Sequence, residues 1–284
     1  MNLPRLPGKV RRGISHLQSL LGGALPLTHS ISRTTVSPST ELSPVRYTRS
    51  IVFLYAAFLS IPASGDAQVP TPASVLGFEP GADFELANYE QSIDYFQQLD
   101  AASDRITMIN VGRTSEGRDW WLALISSSEN LRDVERYRDI ADQLAHPADL
   151  DDASALALAR RGKAIVDISG GLHASEAAGA QHTIGLAYEL VASDEPRIAA
   201  IRENVITALW PSLNPDGQTM ISDWYLSNVG TQYEVAPMPW LYQKYIGHDN
   251  NRDGYMLNMV ESRVLSRVWQ EWDPQIIHVH HQSS

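Results

Sequence analysis

The chain has 284 residues, 43% of them apolar, with no cysteine and a formal net charge of −11. Disulfides and thiolate chemistry are thereby excluded, and the length gives room for one large hydrophobic core. Seven basic and two acidic residues fall within positions 1–67, so that stretch is net +5 and the remainder net −16; a body so acidic repels nucleic acid and anionic membranes, and neither is expected as a partner.

Arg46 and Arg49 precede an 11-residue apolar run, IVFLYAAFLSI, which is followed by PASGDA and the Pro-rich QVPTPAS. That order of charge, apolar core and small residues is the pattern of a secretory signal, with cleavage expected after Gly65 or Ala67. The run is too short to span a bilayer comfortably, so a secreted or periplasmic location is expected, with no stable membrane partner. Residues 1–45, rich in Ser, Pro and Arg, are read as a disordered extension. The organisation that follows is an N-terminal extension and signal-like segment over 1–67, a linker over 68–79, and one domain over 80–284.

Within that domain strand and helix signals alternate. FELANYEQSIDYFQQLDAAS has helical spacing, and RITMINVG and DWWLALISS read as strands joined by the turn-rich RTSEGR. DDASALALARRG is a helix candidate, KAIVDIS a buried strand, and EAAGAQHTIGLAYELVAS an apolar helix. NVITALWPSL follows, then a long loop region through residue 250, the helix YMLNMVESRVLSRVWQEW and a last strand, PQIIHVHH. Apolar strands that need cover on both faces predict a single α/β domain three layers thick.

In such sheets the reactive groups gather where strands end and loops leave toward helices. His173 and Glu176, in GGLHASE, lie just past KAIVDIS, and three residues apart in a helical turn they project to one side. An imidazole nitrogen and a carboxylate oxygen are both good zinc ligands. His278, His280 and His281 stand at or beyond the end of the last strand; His278 and His280 share one face, and His281 the other. One of them added to the first pair makes a His2Glu set with a position left for water. SLNPDGQ reads as a turn fixed by Pro215 and Gly217. In GHDNNRDGY, Asn251 and Arg252 offer amide donors and a planar fork suited to a substrate carboxylate, unless Arg252 pairs with Asp249 or Asp253 to shape the loop.

GRTSEGR at 112–118, GGLHASE at 170–176, LNPDG at 213–217, DNNRD at 249–253 and HVHHQ at 278–282, in that order, resemble the zinc carboxypeptidase family of metallopeptidases from about residue 80 onward. The resemblance implies an α/β domain with a mixed central sheet covered by helices on both faces, with the last strands missing, and one catalytic zinc. It makes His173 and Glu176 the first two zinc ligands and His281 the third, with His280 as the alternative. Asn251 and Arg252 match the pair that holds the substrate's carboxylate, and Arg252 also helps polarise the scissile carbonyl. The implied activity is hydrolysis of peptide or protein substrates by a zinc-activated water. The alternatives are deacylation of N-acyl amino acids by the same metal, or a non-catalytic zinc-binding remnant.

The sequence also departs from the family pattern. Ser175 stands where Arg is frequent, and no Arg occurs between Arg202 and Arg252 to stabilise an oxyanion. The family's general-base Glu lies well after the third ligand, whereas only three residues follow His281 here. A positioned acid or base contributes typically 10²- to 10⁴-fold in rate, so the expectation is a truncated domain of impaired activity.

Overall fold

A computed structural model describes residues 68–283; the signal-like segment and the rest of 1–67 lie outside the described residues. The stretch read as a linker packs against the domain. Thr71 caps a short helix, α1 (Pro72–Leu76), which starts on Pro72 and stops at Gly77 in the left-handed region, and Val75, Leu76 and Phe78 lie against the core.

The chain continues through α2 (Tyr89–Ala102), β1 (Ile106–Arg113), β2 (Asp119–Ile125), α3 (Ser128–Arg132), α4 (Val134–Ala145), α5 (Asp152–Ala159), β3 (Ala164–Gly170) and α6 (Ala177–Ala192). Then follow α7 (Pro196–Asn204), β4 (Val205–Leu209), α8 (Pro215–Asn228), a 3-10 turn at Asn250–Arg252, α9 (Val260–Trp272) and β5 (Ile276–His280). The five strands form one mixed sheet in the order β1-β2-β4-β3-β5, antiparallel from β1 to β4 and parallel among β4, β3 and β5. Period-two alternation divides its side chains between two cores. Trp120, Leu122, Leu124, Ile165, Ile206 and Ala208 meet α4, α5 and α9 on one face. Ile106, Ala123, Ile125 and Leu209 meet α2, α6 and α7 on the other. The expected three layers and mixed sheet are therefore the observed architecture.

The structure also differs from the sequence reading at four helices, α4, α7, α8 and α9. LNPDG is not a free turn. Asn214 accepts from the Gly217 N–H at 2.9 Å and Pro215 occupies the first helical position, so the segment opens α8. The last helix begins five residues later than YMLNM suggests, because buried Asp253 accepts from the backbone N–H groups of Asn258 and Met259 and holds that loop out of helical geometry. The amphipathic VERYRDIADQLA and the Pro-initiated PRIAAIREN form α4 and α7, neither of which the sequence reading placed.

Two registers locate the functional end of the sheet. Ile168 pairs with Leu209 across β3 and β4, and Gly170 pairs with His280 across β3 and β5, so the three parallel strands finish together.

Candidate metal centre

The exit from β3 is made by close backbone packing. A Cβ on Gly170 would stand 1.9 Å from the Gly179 carbonyl oxygen, so only glycine lets the strand end pass against α6. Gly171, at φ +71, then turns the chain into the loop that carries His173. Residues 173–176 close one turn through Glu176 N–H to the His173 carbonyl at 2.9 Å, bringing the imidazole and carboxylate together.

His281, one residue past β5, meets them because His280 is in register with Gly170. The Nδ1 atoms of His173 and His281 each lie 2.8 Å from a different oxygen of Glu176, and the two rings are 4.8 Å apart. One donor atom from each of the three residues lies within 4.8 Å of the others. His280 turns the other way, toward His182 on α6. Of the two neighbouring histidines, His281 is the one brought to the pair.

The protons of this cluster test whether it suits a cation. His173 Nε2 lies 3.0 Å from an oxygen of Asp249 and must donate to it, since a carboxylate only accepts. In a neutral ring this leaves Nδ1 as a lone pair facing the Glu176 carboxylate, acceptor against acceptor, an arrangement that requires positive charge between them. A proton can meet that need, and so can a divalent ion held by nitrogen and oxygen donors. Burial on its own raises the Glu176 carboxyl, but with a proton filling the gap to His173 the bonds from that ring, the Gln282 N–H and His281 outweigh it and hold the group below its usual range. Asp249 is likewise held low, with burial offset by the Asn251 N–H at 2.9 Å and by His173. A second trio within the same span, Asp142, His146 and Asp273, has two exposed members, with His146 paired to Asp142 one turn away on α4.

The remaining sequence motifs assemble around this cluster. Asn250, buried, donates to the Leu172 carbonyl at 2.5 Å and Asn214 donates to the same oxygen at 3.3 Å, so DNNRD and LNPDG both fasten the loop bearing His173. RTSEGR is a structural clamp: fully buried Asp216 on α8 accepts from Thr114 and Arg118 at 2.8 Å each and from the Glu116 N–H at 3.0 Å. Glu261 on α9 accepts from both the backbone and the hydroxyl of Ser115. Asn251 and exposed Arg252 follow Asp249 in the 3-10 turn. Asp249 and Asp253 bond instead to His173 and His248, and among the described residues Arg252 forms no ion pair. Asn251 and His281 also line a cavity of about 210 Å³ with Leu172, Leu265 and Trp269.

What sequence reasoning missed is that Asp249, Asn250 and Asn214 hold His173 and its loop; Asn214 and Asn250 were read only within their own segments, and Asp249 only as a partner for Arg252. Tyr242 was missed as well. Its phenol is raised by burial and by the charges of Asp249 and Glu176, against an opposing bond with Ser175.

A family model described as zinc carboxypeptidase matches residues 92–272, more than half of the chain and including His173, Glu176, Asn251 and Arg252. The chain belongs to the zinc carboxypeptidase family. Solved structures similar to this zinc carboxypeptidase family member include a putative carboxypeptidase A from Shewanella denitrificans, at 18% identity and TM-score 0.46, covering 70% of this chain and 41% of that one. Carboxypeptidase A from Helicoverpa armigera is similar at 16% identity and TM-score 0.46, covering 75% and 52%. Bovine thrombin-activatable fibrinolysis inhibitor, solved with a tick carboxypeptidase inhibitor, is similar at 10% identity and TM-score 0.43, covering 71% and 62%. The chain thus spans about two-fifths to three-fifths of the length of these structures. No curated protein matches the chain. Among the described residues no helix is long and apolar enough to cross a membrane.

Proposed function

We propose that this chain carries the zinc-holding half of a peptidase of carboxypeptidase type, with His173, Glu176 and His281 as the ligands. The observation that carries the reading is the convergence of His173, Glu176 and His281, with one donor atom of each within 4.8 Å of the others. Zinc bound there supplies a Lewis acid that polarises a carbonyl and lowers the pKa of water. Asp249 fixes the tautomer and rotation of His173, and Asn250 and Asn214 fix the loop beneath it. Asn251 and Arg252 receive the C-terminal carboxylate of a peptide, Arg252 being free of competing ion pairs among the described residues.

Among the described residues the carboxylate next to the ligand set is Asp249, and its bonds to His173 and Asn251 commit it to positioning. No general base is therefore assigned among the described residues. Secretion or periplasmic export belongs to the same proposal, on the strength of the signal-like segment at 46–67.

Metal analysis of the purified chain tests the ligand set. Wild type should retain one more ion than His173→Ala, and equal zinc in the two would end the proposal. Binding of a peptide with a free C-terminus, compared with its C-terminal amide, tests the carboxylate pair. Arg252→Ala should weaken the first and leave the second unchanged.

A further inference from the structure

A second group of imidazoles occupies the side of β5 that faces α6. His278 and His280 are two residues apart on the strand and share the face opposite Val279, which packs into the core beside α4 and α9. Their rings are 4.2 Å apart. From α6, His182 approaches His280 with ring centroids at 4.3 Å, and its Nε2 faces His280 Nδ1 at 2.5 Å. The other nitrogen of His182 lies 2.6 Å from the Gly179 carbonyl. A carbonyl only accepts, so Nδ1 carries the proton and Nε2 presents its lone pair to the cluster. An imidazole that donates one nitrogen to a backbone carbonyl has its tautomer and ring orientation set in the way metal-ligating histidines are held.

We propose that His182, His280 and His278 form a second metal site, which takes a first-row divalent cation of the zinc, copper or nickel class and fastens β5 to α6. Three nitrogen donors from one strand face and a neighbouring helix suit these borderline ions, with water completing the shell. Zn–N bonds of about 2.0–2.1 Å place two nitrogens about 3.3 Å apart in a tetrahedral shell, so His280 and His182 need separate by less than about 1 Å to admit the ion. The three donors do not yet converge within 4.8 Å of one another, and the site requires exposed His278 to change rotamer to supply the third nitrogen. None of the three belongs to the His173, Glu176 and His281 set, so the two sites lie on and just past β5 and share no ligand. The contact His280–His182 otherwise remains a single N–H···N bond, which the experiment distinguishes.

The test is an equilibrium dialysis of the whole demetallated chain against zinc, with bound metal counted by mass spectrometry. Wild type should hold two ions, His173→Ala with Glu176→Gln one, and His182→Ala with His280→Ala one. His278→Ala, at an exposed position that spares the fold, should weaken the second ion at least tenfold. One ion in wild type and none in the His173 and Glu176 variant overturns the second site and leaves the peptidase centre standing. One ion in both sinks the peptidase centre and sustains the imidazole site. Two ions retained without His182 and His280, or undiminished affinity without His278, also overturn the assignment. Should the His182 and His280 variant fail to fold, the count in the His173 and Glu176 variant still decides.

Discussion

Asp249 offers the sharpest test of how the ligand set is held. One of its oxygens accepts from His173 Nε2 at 3.0 Å and from the Asn251 N–H at 2.9 Å. Asp249→Ala removes both bonds, frees the His173 ring to rotate and leaves the 3-10 turn without its cap. Loss of a partner that orients a metal-bound histidine costs typically 10- to 100-fold in metal affinity, or about 1.4 to 2.7 kcal/mol. Asp249→Asn separates geometry from charge. The amide oxygen can accept the same two bonds, and the Asp249 side chain is 44% exposed, so solvent screens much of the charge that is lost. We expect zinc affinity, measured by competition with a chromophoric chelator at constant pH, to fall about 10- to 100-fold in the alanine variant and less than about tenfold in the asparagine variant. Circular dichroism should show both folded. Wild-type affinity in the alanine variant would refute the idea that Asp249 orients His173, and equal losses in the two variants would show that charge rather than ring position dominates.

Two further outcomes follow from buried features. Burial pushes the Asp167 carboxyl up to about 6, opposed in part by the Trp210 indole N–H at 2.7 Å. For an acid whose folded pKa lies above its unfolded value near 3.9, the folded state binds the extra proton, so stability is lost as pH rises from about 4 to about 6. Asp167→Asn should remove that slope and gain up to about 3 kcal/mol at pH 7, read as the difference between variant and wild-type urea curves at pH 4 and 7. A variant no more stable than wild type at pH 7 would mean that the buried charge is otherwise compensated. Gly170→Ala drives a methyl into the Gly179 backbone, where neither chain can yield cheaply, and should cost about 3 kcal/mol or more together with zinc retention. An unchanged denaturation midpoint would contradict the tight contact between β3 and α6.

The layered α/β architecture is legible in the sequence because buried strands such as KAIVDIS and covering helices such as AQHTIGLAYELV carry distinct apolar periods. His173 and Glu176 are legible for a related reason, since strand ends mark sites in such sheets and the spacing of three residues puts both groups on one side. The choice between His280 and His281 depends on the strand's face, which alternation supplies once β5 is placed. What remained hidden is non-local. Nothing near Asp249 or Asn250 in sequence discloses that their partners are His173 and the Leu172 carbonyl, more than seventy residues away. The helix at 215–228 was hidden for a different reason: Asn-Pro-Asp-Gly is equally good turn chemistry, and the cap at Asn214 becomes decisive when Asp216 is buried against Thr114 and Arg118.

The pairing of Gly170 with His280 gives the adjacent histidines of β5 an unusual dependence on alignment. Because neighbouring side chains on a strand point to opposite sides, sliding β5 by a single residue against β3 would offer His280 where His281 now stands. Whatever fastens that strand, whether hydrogen bonds, the Val279 contacts or an ion beside His182, thereby also selects which imidazole reaches Glu176.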